Sequence, residues 1–284
     1  MFQTGLSRRG FLASGLAAAA AAGVRAGGPA DPFGGFKVGA QSYTWRKFTL
    51  EQALARMQRL GLRHVEFATP HLPPDAPQSQ IDAVLNLCRT YEVAPAAAGV
   101  LPFVKEIDRN RPHFEFAKAL GIRVLSADPT PDAFDSLDKL CEEYQVAVAI
   151  HPHGPGANAL HRWYSAEVIL AAVQDHHPLI GACLDTGHLI RCAQPPFEKK
   201  LDPAEQIRMM GKRNFGLHLK DHDNEARRDV VYGEGALDVG AVLRALRDVG
   251  FEGAISIEYE ANPDEPTDDV RACIDVVKAA VKNL

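Results

Sequence analysis

The chain is poor in several features that would settle its class early. It has only five cysteines in 284 residues. Cys88, Cys141, Cys183, Cys192 and Cys273 are odd in number and contain no C-x-x-C pair, so no disulfide framework is indicated and buried, unpaired thiols are expected. No apolar run reaches the roughly 18–20 residues of a membrane span, so stable membrane insertion is not expected. There is no surplus of basic residues: 31 Lys and Arg stand against 36 Asp and Glu, for a net charge of −5. A nucleic-acid partner needs clustered Lys and Arg, which an acidic chain does not supply. A glycine-rich phosphate loop is also missing, as is any repeat of fixed period. The 19 prolines and 23 glycines are dispersed, so no linker divides the chain. The remaining composition, 46% hydrophobic, is ample for one core, and the chain reads as a single domain.

The N-terminus stands apart. "SRRGFLASGLAAAAAAGVRAGG" places Arg8 and Arg9 before Phe11, Leu12, an alanine-rich run and small residues near Ala26. A charged region, a short apolar region and a small-residue cleavage region make up a secretory signal. The pattern resembles a twin-arginine signal, S-R-R-x-F-L, which implies export of an already folded protein, to the periplasm. Residues 1–30 are assigned to this signal and 36–284 to the domain. Loss of residues 1–26 removes three arginines and no acid, which takes the charge from −5 to −8.

From residue 36 onward, short apolar runs alternate with longer amphipathic stretches. The predicted strands are 36–41, 63–68, 93–100, 122–127, 146–151, 180–185, 215–221 and 254–260, each followed by a helical pattern. Thr49 suits a helix cap and Gly61 a helix stop. Near-continuous apolar strands covered by helices indicate a parallel sheet, and eight such units over about 250 residues suit a single α/β (β/α)8 TIM barrel. Chemistry in such barrels sits at the C-terminal ends of the strands.

Strand ends five to eight all carry candidate ligands: His151 and His153, then Asp185 and His188, then His218, Lys220 and Asp221, then Glu258 and Glu260. Side chains alternate faces along a strand. If Ala147 and Ala149 face the barrel interior, so do His151 and His153, while Val148 and Ile150 pack against helices. The same parity turns His218 and Lys220 inward. A mixed imidazole and carboxylate site suits one divalent ion such as Mn²⁺, Zn²⁺, Co²⁺ or Mg²⁺. Elsewhere, Glu66 at the end of strand two is a candidate for substrate binding, with a cap or salt-bridge role as the alternative. Trp45 and Phe67 sit where a sugar ring could stack, which makes Trp45 a candidate for substrate binding, but core packing is the preferred reading for both. "GEGALD" (233–238) suits a turn and helix start, and "HDNEARRD" (222–229) a solvated loop.

"CLDTGH", "HLKD", the later "GEG" and "ISIEYE" together resemble the sugar isomerase/epimerase superfamily, which includes xylose isomerase-like barrels, ketose 3-epimerases, inosose dehydratase and endonuclease IV. The resemblance implies one divalent ion held by a Glu on strand five, an Asp on strand six, a His on strand seven and a Glu on strand eight. The last three become Asp185, His218 and Glu258, and His188 of the D-x-G-H motif would contact a substrate oxygen. Strand five departs from the pattern, because His151 stands where the ketose epimerases carry a carboxylate. His151 is taken as the ligand and His153 as the substrate-facing residue, with the reverse left open. The two-glutamate epimerase mechanism does not carry over unchanged, and His153 or Lys220 becomes a candidate for proton transfer beside Glu258.

The expected function is a metal-dependent isomerase or epimerase acting on a sugar or keto-sugar. The alternative within the same chemistry is a keto-glycoside lyase or dehydratase. An endonuclease IV-like nuclease would need more ligands and a basic face, and a non-catalytic sugar-binding barrel would not need the ligands of strands six to eight. A homo-oligomer is compatible with the sequence but not specified by it.

Overall fold

The computed structural model describes residues 31–284; the expected signal, residues 1–30, lies outside them. Eight parallel strands close into a barrel: β1 (Lys37–Gln41), β2 (His64–Phe67), β3 (Ala94–Phe103), β4 (Val124–Pro129), β5 (Ala147–Ile150), β6 (Ile180–Asp185), β7 (Asn214–Leu219) and, eighth around the ring, β10 (Ala254–Ile257). β10 hydrogen-bonds to both β7 and β1, which closes the ring. The expected (β/α)8 barrel is therefore the observed fold.

The helices between the strands follow local chemistry. In α1 (Leu50–Leu60) the Thr49 side chain accepts from the Gln52 amide while Gln52 reaches back to the Thr49 amide, and Gly61 ends the helix at φ +78°. Only glycine adopts that left-handed conformation without strain. Helices α2 (Gln78–Thr90), α3 (Ile107–Leu120), α4 (Phe134–Tyr144) and α5 (Ala166–Val173) alternate with the strands. Val148, Ile150, Leu217, Leu219, Ile255 and Ile257 all join the main apolar cluster. The opposite parity of the same strands is left for the barrel interior and its mouth. All five cysteines are buried and free, as expected. No helix among the described residues is long and apolar enough to cross a membrane.

Two segments differ from the sequence reading. Helix α6 (Thr186–Arg191) starts directly at the end of β6, with no loop between, because Asp185 is both the last strand residue and the helix cap. It precedes α7 (Pro203–Met210). Residues 222–229, expected as a solvated loop, instead carry an antiparallel ribbon, β8 (Asp221–Asp223) with β9 (Arg228–Val230). His222 Nδ1 lies 2.9 Å from Asp229 Oδ1, and Asp223 Oδ1 accepts from the amides of Glu225 and Ala226 to form the turn. α8 (Val239–Asp248) and the terminal α9 (Thr267–Val281) complete the chain.

Asp221 explains two motifs at once. Its buried carboxylate accepts from the amides of His222 (2.7 Å), Gly233 (2.8 Å), Gly235 (3.1 Å) and Leu237 (3.0 Å). The Asp of "HLKD" and the "GEG" that follows are thus the two halves of one loop anchor, and Asp238 then caps α8. Asp221→Ala strands the buried amides of His222 and Leu237, each costing on the order of 1–3 kcal/mol, and frees the partly buried amides of Gly233 and Gly235. Urea denaturation is expected to show a loss of about 3 kcal/mol or more; a loss under about 1 kcal/mol would mean that something else holds this loop.

Candidate metal centre

Four neighbouring strand ends deliver one donor each. The His151 amide donates to Ala127 O (2.8 Å), which extends the β4–β5 ladder by one residue beyond β5. Asp185 at the end of β6 is in register with His218 of β7, and Ser256 of β10 is in register with His218 on the other side. The Glu258 amide donates to Leu219 O (3.0 Å). His151, Asp185, His218 and Glu258 are all buried, and one atom from each lies within 4.8 Å of all the others. His151 Nε2 is 3.0 Å from His218 Nδ1 and 3.5 Å from Asp185 Oδ2; His218 Nδ1 is 3.1 Å from Glu258 Oε2.

This donor set fits a divalent ion. Two imidazole nitrogens and two carboxylate oxygens match the ligand chemistry of Zn²⁺ and its neighbours, and a separation of 3.0 Å between nitrogens is about that of adjacent ligands each about 2.1 Å from one ion. Asp185 Oδ1 accepts from the His188 amide (2.7 Å), whereas Asp185 Oδ2, fully buried, has no hydrogen bond. Its nearest partners are Lys220 Nζ at 3.3 Å and His151 Nε2 at 3.5 Å, so the oxygen stays open to a further cation.

The "DTGH" motif acts as a unit around β7. Thr186 Oγ1 donates to Lys220 O (2.7 Å) and accepts from the Lys220 amide (2.9 Å). A Cβ at Gly187 would meet Lys220 Cγ and Cδ at 2.7 Å, so glycine makes room for the lysine stem. Lys220 Nζ, almost fully buried, lies 3.3 Å from Asp185 Oδ2, 2.9 Å from Glu258 Oε2 and 2.5 Å from Glu260 Oε1. Burial opposes its charge, but Asp185, Glu258 and Glu260 outweigh that and hold the ammonium well above the ordinary lysine range. A lysine so paired is a fixed cation and does not suit the proton-transfer role expected for it. Its charge, with that of His218, in turn overcomes burial at Glu258 and keeps that carboxyl well below the usual range; Lys220 does the same for Asp185.

Glu66 does not reach the cavity as expected. It is 2% exposed, accepting from Ser126 Oγ (2.6 Å) and Ser256 Oγ (2.8 Å), with Oε2 2.9 Å from His218 Nε2. It therefore orients the imidazole so that Nδ1 faces the cluster, the arrangement by which a carboxylate sets a metal-ligating histidine. Trp45 is core, as preferred, and not a stacking surface for substrate. It ends a 3-10 turn (Ser42–Trp45) that breaks strand alternation, is fully buried, and its Nε1 donates to Thr267 Oγ1 (3.4 Å). Phe67 is likewise core.

A cavity of about 370 Å³ opens over the cluster, lined by Gln41, Tyr43, His151, His153, His188, Arg191, His218, Glu258 and Glu260, with the Ala68–Pro70 and Gly99–Val100 segments. The Gly154 amide donates to His188 Nδ1 (2.9 Å), which places the proton of a neutral ring on Nε2. Burial pushes His188 well below the ordinary histidine value, so the neutral ring is the form present. His153 lies against His151 and His161, each 4.8 Å between ring centroids. Burial and then His151 lower its pKa to about 4, so the ring is neutral near pH 7. Asp128, His153 and His161 also cluster, but Arg162 already neutralises Asp128 through two hydrogen bonds (3.1 and 2.7 Å). Sequence reasoning missed Tyr43, Gln41 and Arg191. Arg191 had a usable signal, since it follows His188 by three residues on a helix.

Residues 16–280 match the family model of the xylose isomerase-like TIM barrel. The chain belongs to this family. The inosose isomerase of Bacillus velezensis is 22% identical over 250 residues, which covers 77% of this chain and 86% of the relative. A solved L-ribulose 3-epimerase is 16% identical with a TM-score of 0.67, covering 87% of this chain and 95% of its own. The 3-keto-D-glucoside 4-epimerase YcjR of E. coli is 12% identical with a TM-score of 0.64, covering 86% and 99%. At these identities the solved structures share the barrel.

His218 sets a pH signature for metal uptake. Burial disfavours its charge, but Cys183, Glu66 and Glu258 win and raise its pKa well above the ordinary value, so the metal-free ring is doubly protonated at neutral pH. Ligation through Nδ1 expels that proton, while Asp185 and Glu258, already ionised, release none. Calorimetric titration with Zn²⁺ at pH 7, in two buffers of different ionisation enthalpy, is expected to show release of about one proton per ion and affinity that falls as pH falls. Uptake with no proton release would contradict the assignment of His218.

Proposed function

We propose that the protein is a divalent-metal-dependent isomerase or epimerase of a sugar or keto-sugar, working by proton removal next to a carbonyl. The observation that carries this reading is the convergence of His151, Asp185, His218 and Glu258 at the base of a cavity large enough for a small sugar. These four residues would hold the ion, which when bound polarises a carbonyl and acidifies the neighbouring C–H. Family membership and the sugar-converting relatives agree with the reading.

The chain's own groups divide the remaining work. Glu258, kept ionised by Lys220 and His218, takes the proton on a carboxylate oxygen. His188 offers Nε2–H to a substrate oxygen, with its ring orientation fixed from behind by the Gly154 amide. His153 supplies a neutral polar wall. Glu66 fixes His218, and Lys220 prevents the carboxylates from repelling one another.

A second reading has one specific observation in its favour. Glu258 is the only carboxylate of the four-donor set contributed on the cavity side, since β5 ends in a histidine, so a second strong base on the opposite face of the substrate is missing. Elimination from a 3-keto-glycoside, like same-face isomerisation, needs only one. The two outcomes separate in D₂O: deuterium incorporation with an unchanged carbon skeleton marks isomerisation, and release of an aglycone marks a lyase. Glu258→Gln is expected to lower turnover by about 10²–10⁴-fold; full activity in that variant would remove Glu258 from the mechanism. A purified protein without bound divalent ion, whose sugar binding ignores added Mn²⁺ or Zn²⁺, would leave only a sugar-binding barrel.

We also propose that the protein is exported in folded form, on the strength of Ser7, Arg8, Arg9, Phe11 and Leu12. Replacing both Arg8 and Arg9 with Lys is expected to leave the protein inside the cell in a fractionation experiment. Unchanged export would reject a twin-arginine route.

A further inference from the structure

The charged groups of the cavity are unequally matched. Lys220 meets three carboxylates within 3.3 Å. Arg191 lines the same cavity and forms none of the ion pairs found among the described residues. Its Nη1 contacts His188 Nδ1 at 3.3 Å, a nitrogen already satisfied by the Gly154 amide, and its buried Nε has no hydrogen bond. The position is built. Arg191 sits one turn after His188 on α6, so both side chains face the mouth. Gly154 lies close against both: a Cβ there would come within 3.1 Å of Arg191 Nε and 3.2 Å of His188 Nδ1.

We propose that Arg191 is the specificity-determining residue of this cavity and that the substrate is an anionic sugar, bearing a carboxylate or a phosphate that the guanidinium receives. A partly buried guanidinium without a carboxylate is an unsatisfied fork of donors, and planar oxyanions match its geometry. The metal cluster and Arg191 border one cavity, so a single sugar can present its carbonyl to one and its anionic substituent to the other. The idea rests on the sugar-converting reading of the site, and it narrows the substrate class within that reading.

The test is isothermal titration of the Mn²⁺-loaded full-length protein with three probes: D-fructuronate, D-fructose 6-phosphate and D-fructose. Tighter binding of an anionic probe than of fructose by about tenfold or more is expected, and whichever of the two binds tighter names the anion. Arg191→Gln is expected to abolish that preference, and Arg191→Lys to restore part of it. Equal binding of all three probes to the wild type, a preference that survives Arg191→Gln, or equal losses for charged and neutral probes would each overturn the proposal. Fructose binding that depends on Mn²⁺, with no anionic preference, would overturn this inference alone. Absence of Mn²⁺-dependent binding for every probe would overturn the sugar-converting reading together with it.

Discussion

Buried carboxylates of like charge are the constraint on which this site depends. Asp185, Glu258 and Glu66 are each at most 7% exposed and crowd one end of the barrel. In a low-dielectric interior such groups either take up protons or are held apart by cations. Here they are interleaved with cations. Lys220 stands among Asp185, Glu258 and Glu260, and His218 stands between Glu66 and Glu258. Much of the surrounding sequence serves that interleaving. Thr186 holds the Lys220 backbone, Gly187 clears space for its stem, and Asp221, the residue after it, ties down the loop that covers β7.

The barrel was legible because its strands are written twice, once as apolar runs and once as parity. Val148 and Ile150 against Ala147, and Leu217 and Leu219 against His218, specify which side chains turn inward, and that alternation brought the candidates to one mouth; the choice of Asp185, His218 and Glu258 among them came from the family resemblance. Depth was less legible than direction. Parity turns Lys220 inward but does not show that three carboxylates surround it, because all three arrive from other strand ends. Glu66 took the salt-bridge role that the sequence left open beside substrate binding, because His218 and two serines reach it first. Trp45 took the core-packing role, since the 3-10 turn at Ser42–Trp45 carries it into the interior. Helix α6 escaped notice because a single aspartate ends one element and starts the next, which leaves no loop residues to mark the boundary.

The histidine at the end of β5 changes the charge of the donor set. Two carboxylates and two neutral imidazoles carry a formal charge of −2, equal and opposite to that of a divalent ion. A third carboxylate at that position, as in the ketose epimerases the sequence resembles, would leave the bound ion with a net negative shell. The neutral set favours metals that accept nitrogen readily over those that prefer oxygen alone.

The five buried thiols have a consequence of their own. None of Cys88, Cys141, Cys183, Cys192 and Cys273 is joined to another, and burial raises the pKa of each above the usual thiol value. Such sulfurs are slow nucleophiles and contribute to the barrel as small apolar groups. The fold therefore has no crosslink to acquire after synthesis and none to lose in a reducing medium. Its stability is indifferent to redox potential, so the finished barrel can pass between compartments of opposite redox character without a covalent change.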